Sequence, residues 1–221
     1  FMAALADILG SQSAAITETC KLLGVRGAIL PVSYHKASLV ATYTDGTEVL
    51  GEHYIDTSSP KIAKQRITNL RTIPKITIDP AAQAAIDQAD LIVLGPGDLY
   101  TNTIANLVVA GVAEAIEASY AKVIFVMNLM NRAGETYGYR ASDFLADLGA
   151  YLPADRLDYV LLNSDTTFPP GILKKYAAEG SSIVIDDLHH TYHRAKVVRT
   201  RLLSHTRQSR ELGDKLVRSM V

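Results

Sequence analysis

A continuous apolar strand that runs into a glycine turn constrains the fold of this chain more than any other feature. Leu91–Leu94 contains no polar residue, Gly95-Pro96-Gly97 follows, and an alanine-rich stretch typical of a helix comes next. Such a run predicts a parallel strand that is buried on both faces. The glycines permit backbone angles and close approaches that a side chain would block. Because the freed amides and the next helix start favour phosphate or carboxylate, we expect an anionic ligand here, in the first instance a nucleotide.

The same alternation of strand and helix continues through the second half of the chain and predicts the α/β class. Strands and helices of this length, in regular succession, indicate a Rossmann-like, mostly parallel sheet with helices on both faces. The predicted strands are Leu91–Leu94, Val123–Met127, Tyr159–Leu162 and Ile183–Ile185. The predicted helices cover 79–88, 101–119 with a bend at Gly111, 142–152, 171–178 and 205–220.

The first third of the chain has a different pattern. Two helices are predicted at 1–9 and 13–23, and they are separated by Gly10-Ser11. A small β-rich section is expected near residues 25–78, in which Asp45-Gly46 is a strong hairpin signal. Its predicted strands are 25–32, 36–44, 47–53 and 70–78. We expect residues 1–221 to form a single domain that contains this section.

Composition excludes several classes of function. Hydrophobic residues make up 48% of the chain and charged residues 20%, which supports a full core. The formal net charge of −1 gives no global field that would select nucleic acid or a membrane surface, and no apolar run approaches the roughly 20 residues of a membrane span. Cys20 is the only cysteine, so no internal disulfide forms and a reducing, cytoplasmic location is expected.

Three polar loops follow successive predicted strands, at 95–102, 128–137 and 163–167. Ligands of open parallel sheets bind outside the carboxyl ends of the strands, so these loops are expected to form one composite site. The predicted nucleotide-binding residues are Gly95, Pro96, Gly97, Asp98, Tyr100, Thr101, Asn102, Asn128, Arg132, Glu135 and Asn163.

The first loop leaves the role of Asp98 open. A carboxylate repels phosphate, so Asp98 either caps the helix that starts near Thr101, accepts a ribose hydroxyl or helps to hold Mg²⁺. Thr101 and Asn102 are placed to donate hydrogen bonds to a phosphate from the helix start.

The second loop offers charged groups whose roles are also open. Arg132 is the only guanidinium expected near this edge, and it either pairs with a diphosphate or is a solvated loop charge. Glu135 is a candidate acid, base or metal ligand. Asn128, at the end of its strand, contacts base or ribose, or holds its loop through backbone bonds.

His189, His190 and His193 form a cluster with His205 nearby. Imidazoles three and four residues apart share a helix face, but no helix and no carboxylate motif accompanies them, so a solvated surface run is the favoured interpretation. Residues 189–221 are locally basic, which predicts a solvent-facing helix or a partner contact. The chain has no nucleophile elbow, Walker A loop, zinc spacing or GxGxxG fingerprint, which leaves hydrolase, kinase and nicotinamide-dependent oxidoreductase functions without support.

Several of these motifs resemble one family. Gly95-Pro-Gly-x-Leu-Tyr-Thr101, with Gly111-Val-Ala-Glu-Ala-Ile116 downstream, is similar to the signature of the gluconeogenesis factor family. Asn128-Leu-Met, Gly134-Glu-Thr and Ala141-Ser-Asp143 are similar to a second pattern of that family. The resemblance extends through about residues 1–187.

The resemblance implies a fold shared with the 2-phospho-L-lactate transferases, which is a Rossmann-like sheet with a nucleotide at its carboxyl edge. It implies a nucleotide-sugar-binding regulator of the UDP-N-acetylglucosamine type, linked to carbon metabolism and cell shape, with no settled reaction and no certain cofactor. The alternative is a transferase of phosphorus-containing groups, which takes a guanosine-diphospho donor, a deazaflavin precursor and Mg²⁺. We expect nucleotide or nucleotide-sugar as partner, and a homo-oligomer.

The chain also departs from the family pattern. Asp98 and Asn102 stand where the family commonly has Ser, so the contact that Ser makes with phosphate is altered at position 98. The family begins with a strand, a glycine-rich phosphate loop and an Asp-Asp-Gly-Gly segment that this sequence does not contain. We therefore expect a chain truncated at its N-terminus, which carries half of the family's site.

Overall fold

The computed structural model describes residues 1–57, 59, 61–165, 168 and 171–202, and it is an α/β structure with two sheets. The helices are α1 Met2–Leu9, α2 Gln12–Leu22, α3 Glu52–Asp56, α4 Pro80–Asp87, α5 Ala105–Leu107, α6 Val112–Ala118, α7 Ala141–Gly149 and α8 Ile172–Ala178. The strands are β1 Ser38–Tyr43, β2 Glu48–Leu50, β3 Ile67–Ile73, β4 Leu91–Leu94, β5 Lys122–Val126, β6 Tyr159–Asn163, β7 Thr191–Tyr192 and β8 Ala195–Thr200. A π-helical turn covers Leu99–Ile104 and a 3₁₀ turn covers Ala154–Arg156.

The larger sheet is mostly parallel, in the order β4-β5-β6-β8-β7, and only β7 is antiparallel to its neighbour. In β5, Val123 and Phe125 enter one buried cluster while Ile124 and Val126 enter another. Successive side chains point to opposite faces of a strand, so both faces of this strand are buried. That is the physical reason for its continuous apolar sequence, and it confirms the predicted fold class. Strand β4 differs: the prediction that Leu91–Leu94 is buried on both faces is wrong, because β4 lies at the edge of the sheet and Leu91 and Val93 are 43% and 40% exposed.

The smaller sheet is antiparallel, in the order β2-β1-β3, and it lies in the predicted β-rich section. Asp45-Gly46 joins β1 to β2 as predicted; the Asp45 carboxylate accepts the Thr47 N–H at 2.9 Å, and Gly46 has a φ of +82°. Buried Tyr43 and Leu70 of this sheet belong to the same core cluster as Val123 and Phe125. The small sheet therefore packs on one face of the large one.

Several predicted elements differ from the structure. Residues 25–32 form no strand, and predicted strand 47–53 divides into β2 and helix α3, which begins after Gly51 (φ +100°). Predicted strand 70–78 lies earlier, at β3. The long predicted helix 101–119 is a π-helical turn, α5 and α6, because Gly111 at φ +98° separates the segments.

The predicted strand at Ile183–Ile185 is wrong. Ile183 and Ile185 make only isolated bridges, to Met130 and Arg140 respectively. The strand beside β6 is β8, in the stretch that the sequence indicated as a solvated basic surface. In β8, exposed charged residues alternate with buried Ala195 and Val197. The sequence pattern of this strand therefore resembles that of a solvated surface.

The remaining predicted helices are confirmed, and Asp79 caps α4 through the Ala81 N–H at 2.9 Å. The predicted helix at 205–220 lies outside the described residues. Within the described part of the chain, no helix has the length and apolarity needed to cross a membrane.

Candidate functional site

The Gly95–Asp98 loop leaves β4 at the carboxyl edge of the parallel sheet, and its glycines are explained by close packing. Gly95 has a φ of +80°, and a Cβ there would lie 3.0 Å from the Val126 carbonyl oxygen. A Cβ at Gly97 would lie 3.1 Å from the Asn102 Cβ. Any larger residue would push the loop away from β5 or from the helical turn that follows.

The first loop leaves backbone donors open at this edge. The Asp98 carbonyl accepts the N–H groups of Asn102 at 3.1 Å and Thr103 at 3.0 Å, which starts the π-helical turn. Among the described residues, no acceptor pairs with the N–H groups of Gly97 and Asp98. Unpaired amides at a strand end are suited to phosphate oxygens.

Glu135, from the second loop, is buried beneath the first loop and holds its helical turn in place. Its carboxylate accepts the Tyr100 N–H at 3.0 Å, the Thr101 N–H at 3.3 Å and the Thr101 hydroxyl at 2.9 Å. These bonds satisfy donors that the first turn of a helix leaves unpaired. Burial, followed by the charge of Asp98, raises the pKa of Glu135 to about 7.

Asp98 does not cap the helical turn with its side chain. Its carboxylate instead forms an ion pair with the Arg132 guanidinium, and the side chains are 29% and 38% exposed. Arg132 is therefore not a freely solvated loop charge. Its Nη1 atom also lies 3.8 Å from Oδ1 of Asp56.

Asp56 was missed by sequence reasoning. It ends helix α3 in the β-rich section, almost forty residues before the nearest predicted site residue, Gly95, and nothing in the sequence ties it to the sheet edge. One carboxylate oxygen from each of Asp56, Asp98 and Glu135 lies within 4.8 Å of the other two. An open cavity of about 490 Å³ is lined by Asp56 and Arg132, and also by Glu179 and Ser181.

This group of carboxylates fits the Mg²⁺ that the family resemblance implies. Three carboxylates supply hard oxygen ligands of the kind that Mg²⁺ prefers. Asp56 Oδ1 is shielded from solvent and accepts no hydrogen bond within the described residues, so one oxygen is left without the partner that a buried acceptor normally has. The residues that would hold the ion are Asp56, Asp98 and Glu135.

The other predicted residues of the first two loops are mostly engaged within the protein. Tyr100 is 2% exposed, and its phenol contacts the Ile67 carbonyl at 2.9 Å and Asp147 at 2.7 Å. The Thr101 hydroxyl donates to Glu135, whereas Asn102 and Pro96 are exposed. The predicted contacts of Tyr100 and Thr101 with a nucleotide would have to compete with these bonds.

Asn128 connects the two loops, because its side-chain amide donates to the Gly97 carbonyl at 2.7 Å. It also lines a second cavity of about 200 Å³ between the ends of β5 and β6, together with Leu162, Asn163 and Phe168. Asn128 thus holds the neighbouring loop rather than its own, at the mouth of a space beside the predicted site.

Asn163 of the third loop is engaged in hydrogen bonds to backbone atoms. The Asn163 amide donates to the Asp165 carbonyl at 2.8 Å, and its oxygen accepts the N–H groups of Asp165 at 3.2 Å and Leu202 at 3.0 Å. Arg201 reaches this loop from β8, 3.4 Å from Asp165. Arg132 is therefore not the only guanidinium at the edge, and the mistake follows from missing β8. Thr166 and Thr167 lie outside the described residues.

The histidine cluster is a surface run, as predicted. His189, His190 and His193 are exposed, and among the described residues they belong to no group that could hold a metal. His193 lies 3.5 Å from Asp155. His205 falls outside the described part of the chain.

The parallel sheet with a polar, carboxylate-rich group of residues at its carboxyl edge defines a Rossmann-like α/β protein with a candidate site at that edge. Comparison with known proteins gives the family. The profile of the family 2-phospho-L-lactate transferase CofD matches residues 1–203, so the chain belongs to this family.

The relatives support the predicted membership. A putative gluconeogenesis factor of Thermotoga maritima is 43% identical over 83% of this chain and 56% of its own length. The gluconeogenesis factor of Bacillus subtilis is 35% identical over 85% of this chain and 57% of its own. The X-ray structure of protein BH3568 from Bacillus halodurans superposes with a TM-score of 0.83 at 32% identity, over 93% of this chain and 65% of that one. This chain thus spans little more than half the length of these curated relatives.

Proposed function

We propose that this chain supplies part of a site that binds a diphospho-nucleotide donor and transfers a phosphorus-containing group from it. The observation that carries the proposal is the grouping of Asp56, Asp98, Glu135 and Arg132 beside unpaired amides at the end of β4. Transfer from a diphosphate depends on positioning and on neutralising the charge of its oxygens. Carboxylates, a guanidinium and open amides in one place are the groups that this chemistry uses.

In this proposal each residue has a role that follows from its surroundings. The N–H groups of Gly97 and Asp98 bind the diphosphate, and Arg132 offers a bidentate contact to it. Glu135 holds the helical turn at Tyr100 and so orients the loop. Mg²⁺, held by the three carboxylates, would neutralise charge on the diphosphate oxygens.

The test is turnover of a guanosine-diphospho phospholactyl donor with a deazaflavin acceptor by the full-length protein, followed by liquid chromatography and mass spectrometry. We expect Mg²⁺-dependent product that Asp98→Asn reduces at least tenfold. Arg140→Gln, an exposed change in the same region, is the control and should leave turnover unchanged. Absence of product from the unmodified protein, with donor and acceptor both intact, would exclude this function.

A second candidate is a regulator that binds a nucleotide-sugar of the UDP-N-acetylglucosamine type and is linked to carbon metabolism and cell shape. The specific observation in its favour is that the curated relatives are called gluconeogenesis factors. The same amides and Arg132 would bind the diphosphate of such a ligand. We assign its sugar or base to exposed Asn102, which follows this loop, and to the cavity lined by Asn128, whose amide donates to the Gly97 carbonyl.

Calorimetric titration of UDP-N-acetylglucosamine and GDP separates the two candidates. Saturable binding of the nucleotide-sugar without turnover supports the regulator. No binding of UDP-N-acetylglucosamine at millimolar concentration contradicts it, whatever the result with GDP.

A further inference from the structure

Arg132 is held by the carboxylates that a divalent cation would use. Its guanidinium pairs with Asp98 and lies 3.8 Å from Asp56. All three side chains retain between 28% and 38% of their exposure. Ion pairs with this much solvent contact are weak, so a competing charge can exchange the partners without unfolding the loops.

The carboxylates of Asp56, Asp98 and Glu135 repel a phosphate that binds without a cation. Asp98 places its carboxylate in the loop whose amides are open, and Asp56 and Glu135 have oxygens within 4.8 Å of it. A diphosphate would meet this negative charge, and the Arg132 guanidinium that could offset it is already paired. A divalent cation removes both obstacles at once, because it neutralises Asp98 and competes with Arg132 for it.

We propose that Arg132 exchanges partners when ligand binds: a divalent cation takes Asp98 and Asp56, and the released guanidinium binds the diphosphate that accompanies the cation. The inference rests on the proposed diphosphate site and deepens it by making cation and nucleotide bind cooperatively. Because linkage is reciprocal, the cation raises the affinity for the nucleotide by the same factor as the nucleotide raises the affinity for the cation. We expect a factor of about ten, within the usual range of such couplings.

The experiment measures Mn²⁺ binding alone by calorimetry and by electron paramagnetic resonance, with full-length protein. Arg132→Gln removes the competing charge, so we expect it to bind Mn²⁺ about tenfold tighter than the unmodified protein. Arg140→Gln is the matched control, because it removes an exposed guanidinium eight residues further along and should leave the affinity unchanged. Asp98→Asn should weaken Mn²⁺ binding at least tenfold.

A second series titrates GDP with and without saturating Mn²⁺, corrected for the metal–nucleotide complex that forms in solution. The unmodified protein should bind GDP about tenfold tighter with Mn²⁺. Arg132→Gln should bind GDP more weakly with Mn²⁺ and show less than a threefold effect of the metal. Arg132→Lys, which keeps the charge, should bind Mn²⁺ like the unmodified protein. Arg132→Met, which also removes the charge, replaces the Gln variant in the comparison if that variant does not fold.

The outcomes separate this inference from the proposed function. If Arg132→Gln binds Mn²⁺ no tighter than the unmodified protein, or if GDP binds equally well without metal, the exchange is wrong. If no nucleotide binds under any condition, the diphosphate site itself is wrong. A tighter Mn²⁺ site in Arg132→Gln would then still establish that Arg132 competes with a cation.

Discussion

Two polar regions at the same edge of the sheet differ in how their charges are satisfied. Where the first and second loops meet, Asp56 and Asp98 share the guanidinium of Arg132 and Glu135 has an oxygen within 4.8 Å of both carboxylates. An Asp56 oxygen there has no hydrogen-bond partner within the described residues. In the third loop, the Asn163 side chain makes three hydrogen bonds to backbone atoms nearby. The first region is therefore suited to an added ion, whereas the bonds in the third loop serve the loop itself.

The difference teaches that polar composition alone does not identify a ligand site. Both regions have the amide and carboxylate residues that indicated a site in the sequence. What separates them is whether the tertiary contacts supply a partner for every buried polar atom, since unsatisfied groups are costly and rare. Predictions of stability test this contrast directly.

The largest effect is expected for Glu135→Ala. It leaves two N–H groups and a hydroxyl of the helical turn without their acceptor, at Tyr100 and Thr101. We expect the free energy of unfolding to fall by about 3 kcal/mol in urea denaturation. Glu135→Gln keeps an acceptor and should lose less than half as much. A loss below about 1 kcal/mol for the alanine variant would show that Glu135 does not hold this turn.

Tyr100→Phe should have the next largest effect. The phenol lies in the core against the Ile67 carbonyl and Asp147, and burial raises its pKa far above the ordinary value. Loss of the hydroxyl leaves these buried acceptors underpaired, so we expect a destabilisation of about 1.5 kcal/mol. Tyr120→Phe is the control, because Tyr120 is fully exposed. Equal stabilities of the two variants would argue against a structural role for this phenol.

Asn163→Ala should cost about 1 kcal/mol through the loss of its loop bonds. The contrast between the two regions further predicts that this variant keeps the GDP affinity of the unmodified protein within twofold. Asn69→Ala, at an exposed position of β3, controls for the change of residue. A tenfold loss of GDP affinity in Asn163→Ala would extend the ligand site to the third loop.

Asp98→Asn should have the smallest effect on stability. The ion pair with Arg132 is about one third exposed on each side, and pairs of this kind contribute up to about 1 kcal/mol. We expect a change below about 0.5 kcal/mol in thermal denaturation, although Mn²⁺ binding is weakened at least tenfold. A variant destabilised by more than about 2 kcal/mol would mean that Asp98 is primarily structural.

Much of the fold could be predicted, and the failures have physical reasons. The apolar run Leu91–Leu94 correctly predicts a parallel strand, and Asp79-Pro80 correctly predicts a helix start. The burial of Leu91–Leu94 on both faces was predicted wrongly, because β4 is the edge strand and its residues Leu91 and Val93 are exposed. Strand β8 was missed because exposed Lys196 and Arg199 alternate with its buried residues, a pattern that also suits a solvated surface. Ile183–Ile185 has the composition of a strand, but β8 occupies the place beside β6.

The candidate site was predicted only in part. The position of the first two loops at one edge followed from the order of strands and helices. The role of Glu135 could not be predicted in this way. Glu135 lies in the second loop, but it is buried against the first loop and accepts hydrogen bonds from Tyr100 and Thr101 there. Asp56 reaches the site only because the small sheet packs on the large one. No local sequence pattern predicts that contact.

The sequence by itself determined the alternation of strands and helices, the edge at which the polar loops meet, and the family. These depend on local periodicity and on turn residues, which act over a few neighbouring positions. Only the tertiary structure decided that Asp98 binds Arg132, that Glu135 supports the helical turn, and that Asp56 completes the carboxylate group. Such pairings depend on distances between segments far apart in the chain, which are fixed by packing of the core.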